Sequence, residues 1–289
     1  MCMKLKFYTE QVLTVLLVVI LLPCAITLLL NSRMSRIYQA IQDETKYISI
    51  ESGDKTEEIS LEEYVLEVTA SELPADAQLE AIKAQMVLVR TNAYRQLQNG
   101  GIRPKERMSL AEIELMRNGD AFRKAQKETK GEILTWQGKP ILASCHPVSA
   151  GQTREAREVF RSEDYPYLTG KACPGDKDAP QYRQSIQIDE SWRNMEIEEK
   201  DSAGYVLRLK LNDTEMSGEE FRIKLGLPSS NFRVEKNGDG VFVITRGIGH
   251  GLGLSQYTAQ QLAKNGTGYR EILAYFFDQT KLESIADIF

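Results

Sequence analysis

The sequence contains few of the side chains that carry metal or thiol chemistry. Its two histidines are His146 and His250, and of its four cysteines only Cys145 and Cys173 lie beyond the N-terminal region. Two cysteines there are compatible with one disulfide, a shared metal, or neither. The sequence alone leaves these three interpretations open.

Runs of basic residues are also missing. The formal net charge is −5, and Lys and Arg are not clustered anywhere along the chain. Because phosphate backbones are bound by clustered basic side chains, this argues against a nucleic-acid partner. Nucleotide-binding loops are absent as well. Glycines 247 to 253 recur at every second residue, which fits neither G-x-G-x-x-G nor a P-loop.

One apolar run is long enough to cross a bilayer. Residues 12–30 are apolar apart from two threonines, about the length that a hydrocarbon core of roughly 30 Å requires. No A-x-A site ends the run, which disfavours a cleavable signal peptide, and Pro23 disfavours lipid modification of Cys24. We therefore predict a transmembrane anchor in residues 1–35, with the rest of the chain at the outer face of the cell membrane.

The remaining sequence predicts a polar linker over residues 36–57 and a single domain over residues 58–289. Helical periods alternate irregularly with hairpin signals, without regular βαβ units, so we predict an α+β fold in which helices pack on antiparallel hairpins. The predicted helices cover 60–73, 76–97, 109–129, 217–225, 256–264 and 269–277, and the predicted strands cover 132–136, 140–144, 205–211, 232–235 and 241–245.

A carboxylate stands at the end of the first predicted helix. Leu61, Tyr64 and Val68 recur at steps of three and four residues, and the next position on that face is Glu72. Pro74 ends the helix there. Burial and the negative end of the helix dipole would both favour the protonated carboxyl that a general acid needs. The alternative is an ordinary glutamate at a solvated helix end.

Both histidines lie in loops rich in glycine and serine that follow predicted strands. The glycines around His250 allow close approach of the backbone to a ligand. Cys145 adjoins His146, but neighbours on a strand point to opposite faces, so adjacency does not make a catalytic dyad. Zinc bound by Cys145, His146 and Cys173, completed by His250, is a further candidate, although this spacing is not a recognised metal motif.

Three separated motifs follow one another along the chain. They are Ser60-Leu-Glu-Glu-Tyr-Val with Ala70-Ser-Glu-Leu-Pro and residues 79–91, then His146-Pro-Val-Ser-Ala-Gly-Gln-Thr153, and then Gly249-His-Gly-Leu-Gly-Leu-Ser-Gln-Tyr257. In this order they resemble the stage II sporulation protein D family, which includes amidase-enhancer proteins. The usual Ser-Gly-Gly of the second motif is Ser149-Ala150-Gly151 here, which puts a zinc assignment in doubt.

The resemblance implies a membrane-anchored peptidoglycan lytic transglycosylase that acts in forespore engulfment. The family's catalytic acid, in its Glu-Leu/Met-Pro motif, falls on Glu72. The implied partners are peptidoglycan glycan strands, a cell-wall amidase that strips stem peptides, and a membrane protein of the engulfment machinery. No cofactor is required, although some members bind zinc near the second motif.

A single acid suits this chemistry. Hydrolytic glycosidases commonly use two carboxylates, whereas a lytic transglycosylase uses the C6 hydroxyl of the sugar as nucleophile. The alternatives are a non-catalytic wall-binding activator of an amidase and a zinc hydrolase. The residues predicted to bind substrate are Lys83, Arg90, His146, Ser149, Gln152, Thr153, His250, Ser255, Gln256 and Tyr257.

Overall fold

Two consecutive helices form one side of the domain. The structure is a computed structural model and describes residues 47–52 and 55–288. Helix α1 covers Leu61–Glu72 and helix α2 covers Leu79–Gln98. The hydroxyl of Ser60 accepts a hydrogen bond of 3.2 Å from the backbone N–H of Glu63, which fixes the start of α1 at the predicted cap.

The other elements alternate along the chain without a repeating unit. The remaining helices are α3 (Leu110–Leu115), α4 (Gly119–Glu128), α5 (Ala156–Phe160), α6 (Gly218–Lys224), α7 (Gln256–Lys264), α8 (Tyr269–Phe276) and α9 (Ile285–Ile288). The strands are β1 (Tyr47–Ser52), β2 (Lys55–Ser60), β3 (Glu132–Trp136), β4 (Lys139–Pro140), β5 (Cys145–His146), β6 (Arg183–Ile188), β7 (Met195–Lys200), β8 (Val206–Leu211), β9 (Thr214–Ser217), β10 (Phe232–Asn237), β11 (Gly240–Arg246), β12 (Leu254–Ser255) and β13 (Lys281–Ser284).

Small sheets complete the architecture. Three antiparallel sheets have the orders β13-β3-β4, β10-β11-β6 and β7-β8-β9, whereas β1 pairs with β2 and β5 pairs in parallel with β12. Helix α2 packs against α1, α4, α7, α8 and β3. This mixture of helices and antiparallel strands confirms the predicted α+β class.

The domain begins earlier than the predicted boundary at residue 58. Ile48 and Ile50 of β1 are buried in the same apolar cluster as α1, α2 and α4, and the chain from Ile48 onward forms one compact unit. Part of the predicted polar linker is therefore a strand whose alternate side chains are buried.

Three further features of the secondary structure differ from the sequence-based expectation. The helical stretch predicted over 109–129 is divided into α3 and α4. The second strand of the first hairpin is short, because β4 pairs with β3 through only two residues. Strands β6 and β7 were not predicted. Exposed side chains alternate with less exposed ones in both strands, but most of their residues are polar or charged, as in Met-Glu-Ile-Glu-Glu-Lys.

The predicted transmembrane anchor over residues 12–30 lies outside the described residues. Among the residues that the structure does describe, no helix is both long and apolar enough to cross a membrane.

An ion pair fastens α2 to α1. The guanidinium of Arg90 is fully buried and donates from Nε and Nη2 to the two carboxylate oxygens of Glu62, at 2.7 Å each. Its Nη1 also donates to the backbone carbonyl of Glu132 at 3.2 Å. Arg90 therefore has a structural set of partners at this interface.

We predict that Arg90→Ala lowers the free energy of unfolding by about 3 kcal/mol, because it leaves the Glu62 carboxylate at the interface without its partner. The control is Arg123→Ala, which breaks an exposed pair with Glu114 and should cost less than about 1 kcal/mol. Urea unfolding of both variants measures the difference. Equal losses would contradict the structural role of Arg90.

Candidate active site

Glu72 is the last residue of α1. The next residue, Leu73, is extended, and a turn follows in which the N–H of Ala77 donates to the carbonyl of Pro74. The Glu72 side chain is 24% exposed, so its carboxylate is partly buried and does not lie in bulk solvent. The helix ends where the proline predicted.

Each oxygen of the Glu72 carboxylate has a separate partner. The Nε2 of Gln85, a buried residue of α2, donates to Oε2 at 2.7 Å and also to the sulfur of Cys145 at 3.2 Å. The ammonium of Lys105 donates to Oε1 at 2.6 Å. The first and second motifs are thus joined through one amide. Within the described part of the chain, no second carboxylate contacts Glu72.

Lys105 reaches Glu72 from the loop that follows α2. Ile102 of this loop is buried and forms a backbone bridge with Ile50. Next to the lysine, the hydroxyl of Ser71 donates to the carbonyl of Glu106 at 2.8 Å. The loop is therefore attached on both sides of Lys105. Sequence reasoning missed this residue because nothing in Arg-Pro-Lys-Glu-Arg indicates that the loop returns to α1.

The groups around this ion pair carry no charge at neutral pH. Burial, together with the nearby Glu72 charge, raises the pKa of Cys145 to about 11. Burial also raises the pKa of Tyr64, against the opposing effect of Lys105. A thiol that stays protonated is a poor nucleophile, which argues against the cysteine chemistry considered from the sequence.

Burial and the neighbouring carboxylate have opposite effects on the pKa of Lys105. Burial opposes its charged form, but the charge of Glu72 and their shared hydrogen bond outweigh this effect and raise the pKa of Lys105. The ammonium thus depends on an anion beside it.

The second and third motifs lie side by side. Strands β5 and β12 pair in parallel, with Cys145 opposite Leu254 and His146 opposite Ser255. The rings of His146 and His250 are 5.8 Å apart between centroids. The two loops predicted to hold the histidines therefore meet, and Cys145 connects them to Glu72 through Gln85.

The alternating glycines of the third motif make this contact possible. All four have positive φ values between 70° and 99°. A Cβ atom at Gly253 would lie 2.1 Å from the carbonyl oxygen of Ser144, and one at Gly251 would lie 2.5 Å from the ring of Tyr205. The close approach expected for a ligand is at these two positions an approach to the protein's own chain.

The two histidines differ in their proton positions. Because His146 Nδ1 lies 3.0 Å from the carbonyl oxygen of Leu252, this nitrogen must donate, and Nε2 is left as an acceptor. That Nε2 atom is buried without a partner among the described residues. Burial has the largest effect on the pKa of His146 and the electrostatic effect of His250 the next largest, and the pKa is lowered to about 3. His250 accepts the N–H of Leu252 at Nδ1, and burial lowers its pKa. Both rings are neutral near pH 7.

A buried aspartate holds the other side of these motifs. Asp176 accepts hydrogen bonds from the backbone N–H of Ser149 at 2.6 Å, from the hydroxyl of Ser255 at 2.7 Å and from that of Thr258 at 2.6 Å. Ser149 and Ser255 were predicted to bind substrate, and the structure gives both a buried structural partner. Asp176 was missed, because it lies in a short 3₁₀ helix outside all three motifs.

The remaining predicted substrate residues divide into two groups. Thr153 is buried, and its hydroxyl oxygen accepts the N–H of Lys171. Gln152 is exposed, and Gln256 and Tyr257 are half-buried at the start of α7. These three have side chains within reach of a ligand.

Two predicted substrate residues lie in other contacts. Lys83 is bound by the carboxylates of Glu80 at 2.5 Å and Glu128 at 2.6 Å. Arg90 is buried against Glu62, as described above. Neither contacts Glu72.

The structure does not gather the zinc candidates. In the described ranges, no group of three or more His, Cys, Asp or Glu side chains is placed to hold a metal ion. Cys145 contacts Gln85, whereas the thiol of Cys173 donates to the carbonyl of Lys171. Both thiols are free, so the disulfide considered from the sequence is not formed.

The domain is of the α+β class. Its candidate site combines one carboxylate at a helix end, bound by two partners, with two loops that pack against each other. The family model described as "Stage II sporulation protein" matches residues 50–136. The chain is 32% identical over 270 residues to Stage II sporulation protein D of Bacillus subtilis (strain 168), covering 82% of this chain and 78% of that protein. The protein of the same name from Bacillus amyloliquefaciens is 30% identical with the same coverage.

A more distant relative carries another name. The chain is 25% identical over 287 residues to the Amidase enhancer of Bacillus subtilis (strain 168), covering 75% of this chain and 40% of that protein. Taken with the similarity to both sporulation proteins, the chain belongs to the stage II sporulation protein D family.

We predict that Gly253→Ala destabilises the domain more than Gly266→Ala. Both glycines have positive φ, of 70° and 89°, so both variants incur a conformational cost of about 1–2 kcal/mol. A Cβ at Gly266 meets nothing within 4 Å, whereas one at Gly253 meets Ser144, which should add about 1–3 kcal/mol. Urea unfolding provides the comparison, and equal losses would show that the two motifs are not packed as described.

Proposed function

We propose that this protein is a peptidoglycan lytic transglycosylase that cleaves the bond between N-acetylmuramic acid and N-acetylglucosamine. The observation that supports this function is the isolated, partly buried carboxylate of Glu72, whose two oxygens are held by Gln85 and Lys105. A hydrolase would need a second carboxylate to activate water or to form a covalent intermediate. A transglycosylase needs one.

The reaction follows from a single group that gives and then takes one proton. Protonated Glu72 donates its proton to the glycosidic oxygen, and the bond from that oxygen to C1 of the muramic acid breaks. The C6 hydroxyl of the same sugar then attacks C1, and the Glu72 carboxylate accepts the hydroxyl proton. The products are a 1,6-anhydro end and a new free hydroxyl, and no water is consumed.

The neighbouring residues supply position in this scheme. Gln85 fixes one oxygen of Glu72, so that the other faces the substrate side together with Lys105. We assign contacts with sugar hydroxyls and N-acetyl groups to the exposed or half-buried side chains of Gln152, Gln256 and Tyr257. His250, which is also half-buried, adds a neutral imidazole to this surface.

The proposal extends to the cellular setting. Residues 12–30 would anchor the protein in the cell membrane, with the domain facing the wall. The protein would work in engulfment with a membrane protein and with a cell-wall amidase that first removes stem peptides. Support for the amidase comes from the relative whose name is Amidase enhancer.

A second candidate function is also supported by the relative whose name is Amidase enhancer. In this function, the surface around Glu72 binds wall glycan without cleaving it, and the protein activates an amidase. Glu72 would then be a binding residue.

We predict that Glu72→Gln abolishes the release of anhydro-ended fragments from glycan strands that lack stem peptides. The amide keeps the shape of the side chain but cannot donate the acidic proton, so the rate should fall at least about 100-fold. The full-length protein in detergent is incubated with the strands, and mass spectrometry identifies the products.

Glu58→Gln is the matched control, because Glu58 is an exposed glutamate on β2. It should cleave at the wild-type rate. If neither wild type nor Glu72→Gln yields fragments, but both stimulate an added amidase, the activator function is correct and the transglycosylase function is not. Fragments with reducing instead of anhydro ends would identify a hydrolase.

A further inference from the structure

The Lys105–Glu72 ion pair lacks a role in the general acid step. Glu72 must be protonated before it can donate to the glycosidic oxygen, but in the structure its carboxylate is paired with an ammonium 2.6 Å away. Once Glu72 carries the proton, Lys105 loses the anion that balances its charge. Tyr64 and Cys145, which also lie near the lysine, are kept neutral by burial and cannot replace this anion.

The lysine is placed to contact a ligand. Its side chain is 41% exposed, more than that of Glu72 at 24%, so part of the lysine side chain lies at the protein surface. The loop that carries it is attached at Ile102 and Glu106. A further attachment is the N–H of Met108, which donates to the carbonyl of Glu67 at 3.1 Å. These attachments therefore hold the charge of Lys105 beside Glu72, and the loop does not need to move to place it there.

The proposed substrate carries an anion close to the bond that is cut. Muramic acid bears a lactyl ether on C3, and the carboxyl group of this ether is free and charged when no peptide is attached to it. When a stem peptide is attached, the same carboxyl is an uncharged amide. The scissile C1 belongs to the same sugar ring as this substituent.

We propose, as an extension of the transglycosylase function, that Lys105 binds the free lactyl carboxylate of the muramic acid and so selects glycan without stem peptides. The substrate carboxylate replaces Glu72 as the counter-ion of the ammonium during the general acid step. An anionic sugar thus supplies the anion that Lys105 needs at that step, whereas an amidated sugar does not.

The test compares two glycans that differ in one group. Strands with free lactyl carboxylates are compared with the same strands after carbodiimide coupling to methylamine. Binding is measured by calorimetry on full-length Glu72→Gln protein in detergent, which leaves the strands uncut. We expect the free acid to bind roughly tenfold more tightly than the methylamide, the size of one charge-assisted hydrogen bond.

Three variants in the Glu72→Gln background identify the residue. Lys105→Gln should bind both glycans equally, whereas Lys105→Arg should keep the preference because it keeps the charge. Lys139→Gln, which removes an exposed lysine at the start of β4, should also keep it. Equal binding of the two glycans before Lys105 is changed, or a preference that persists in Lys105→Gln, would overturn the proposal.

A third glycan separates the lactyl carboxylate from other carboxylates of the wall. Strands that still carry stem peptides have acidic groups farther from the ring and should bind like the methylamide. If they bind like the free acid, the lactyl assignment is wrong.

Kinetics with Glu72 intact completes the test. The ratio of kcat/KM for free acid over methylamide should fall to near 1 in Lys105→Gln, and an unchanged ratio would overturn the proposal. If wild type cuts neither glycan while the Glu72→Gln protein still prefers the free acid, Lys105 recognises the carboxylate but the proposed catalytic function fails.

Discussion

One carboxylate and its two partners set the requirements for the rest of this domain. Glu72 sits at the end of a helix, and its geometry depends on an amide from the next helix and an ammonium from the loop beyond. Removing either partner would leave one oxygen of a partly buried side chain without its hydrogen bond, and an unpaired polar group in such a position is costly. Helices α1 and α2 must therefore keep a fixed relation, and the apolar cluster and the Arg90–Glu62 pair between them provide it.

On the other side of the site, the second and third motifs pack closely because the glycines have no side chains to separate them. Glycines at alternate positions of the third motif allow its backbone to approach the second motif. Asp176 then receives hydrogen bonds from both motifs, and a second buried pair, Arg154 with Asp201, has its Nη1 on the carbonyl of His250. The backbone groups of the second and third motifs are therefore paired within the protein.

The sequence predicted the parts whose signals are local. The position of Glu72 followed from a helical period and a proline, and the caps at Ser60 and Ser217 lie where the pattern placed them. The α+β fold class was anticipated as well. What was missed depends on contacts between distant segments. Lys105 is 33 residues from Glu72 in the chain, and no local pattern records their contact.

Several expectations about single residues were changed by burial. Lys83 and Arg90 carry charges that suit a glycan, but the structure pairs each with carboxylates of neighbouring elements. The polar side chains of Ser149 and Ser255 suit sugar hydroxyls, but the Ser149 hydroxyl oxygen accepts the N–H of Gly151 and the Ser255 hydroxyl donates to Asp176. A charged or polar residue type shows that a partner exists. It does not show whether the partner is a ligand or the protein itself.

By itself, the sequence determined that a helix ends at Glu72, that glycine-rich loops follow two strands, and that the domain mixes helices with hairpins, because helix periods, prolines and glycines act over a few residues. Only the tertiary structure decided that Gln85 and Lys105 hold this carboxylate, that the cysteines remain free thiols, and that the alternating glycines lie against other parts of the same chain. These outcomes depend on packing between segments far apart in the chain, where burial and unpaired charge, and not local propensity, select the partners.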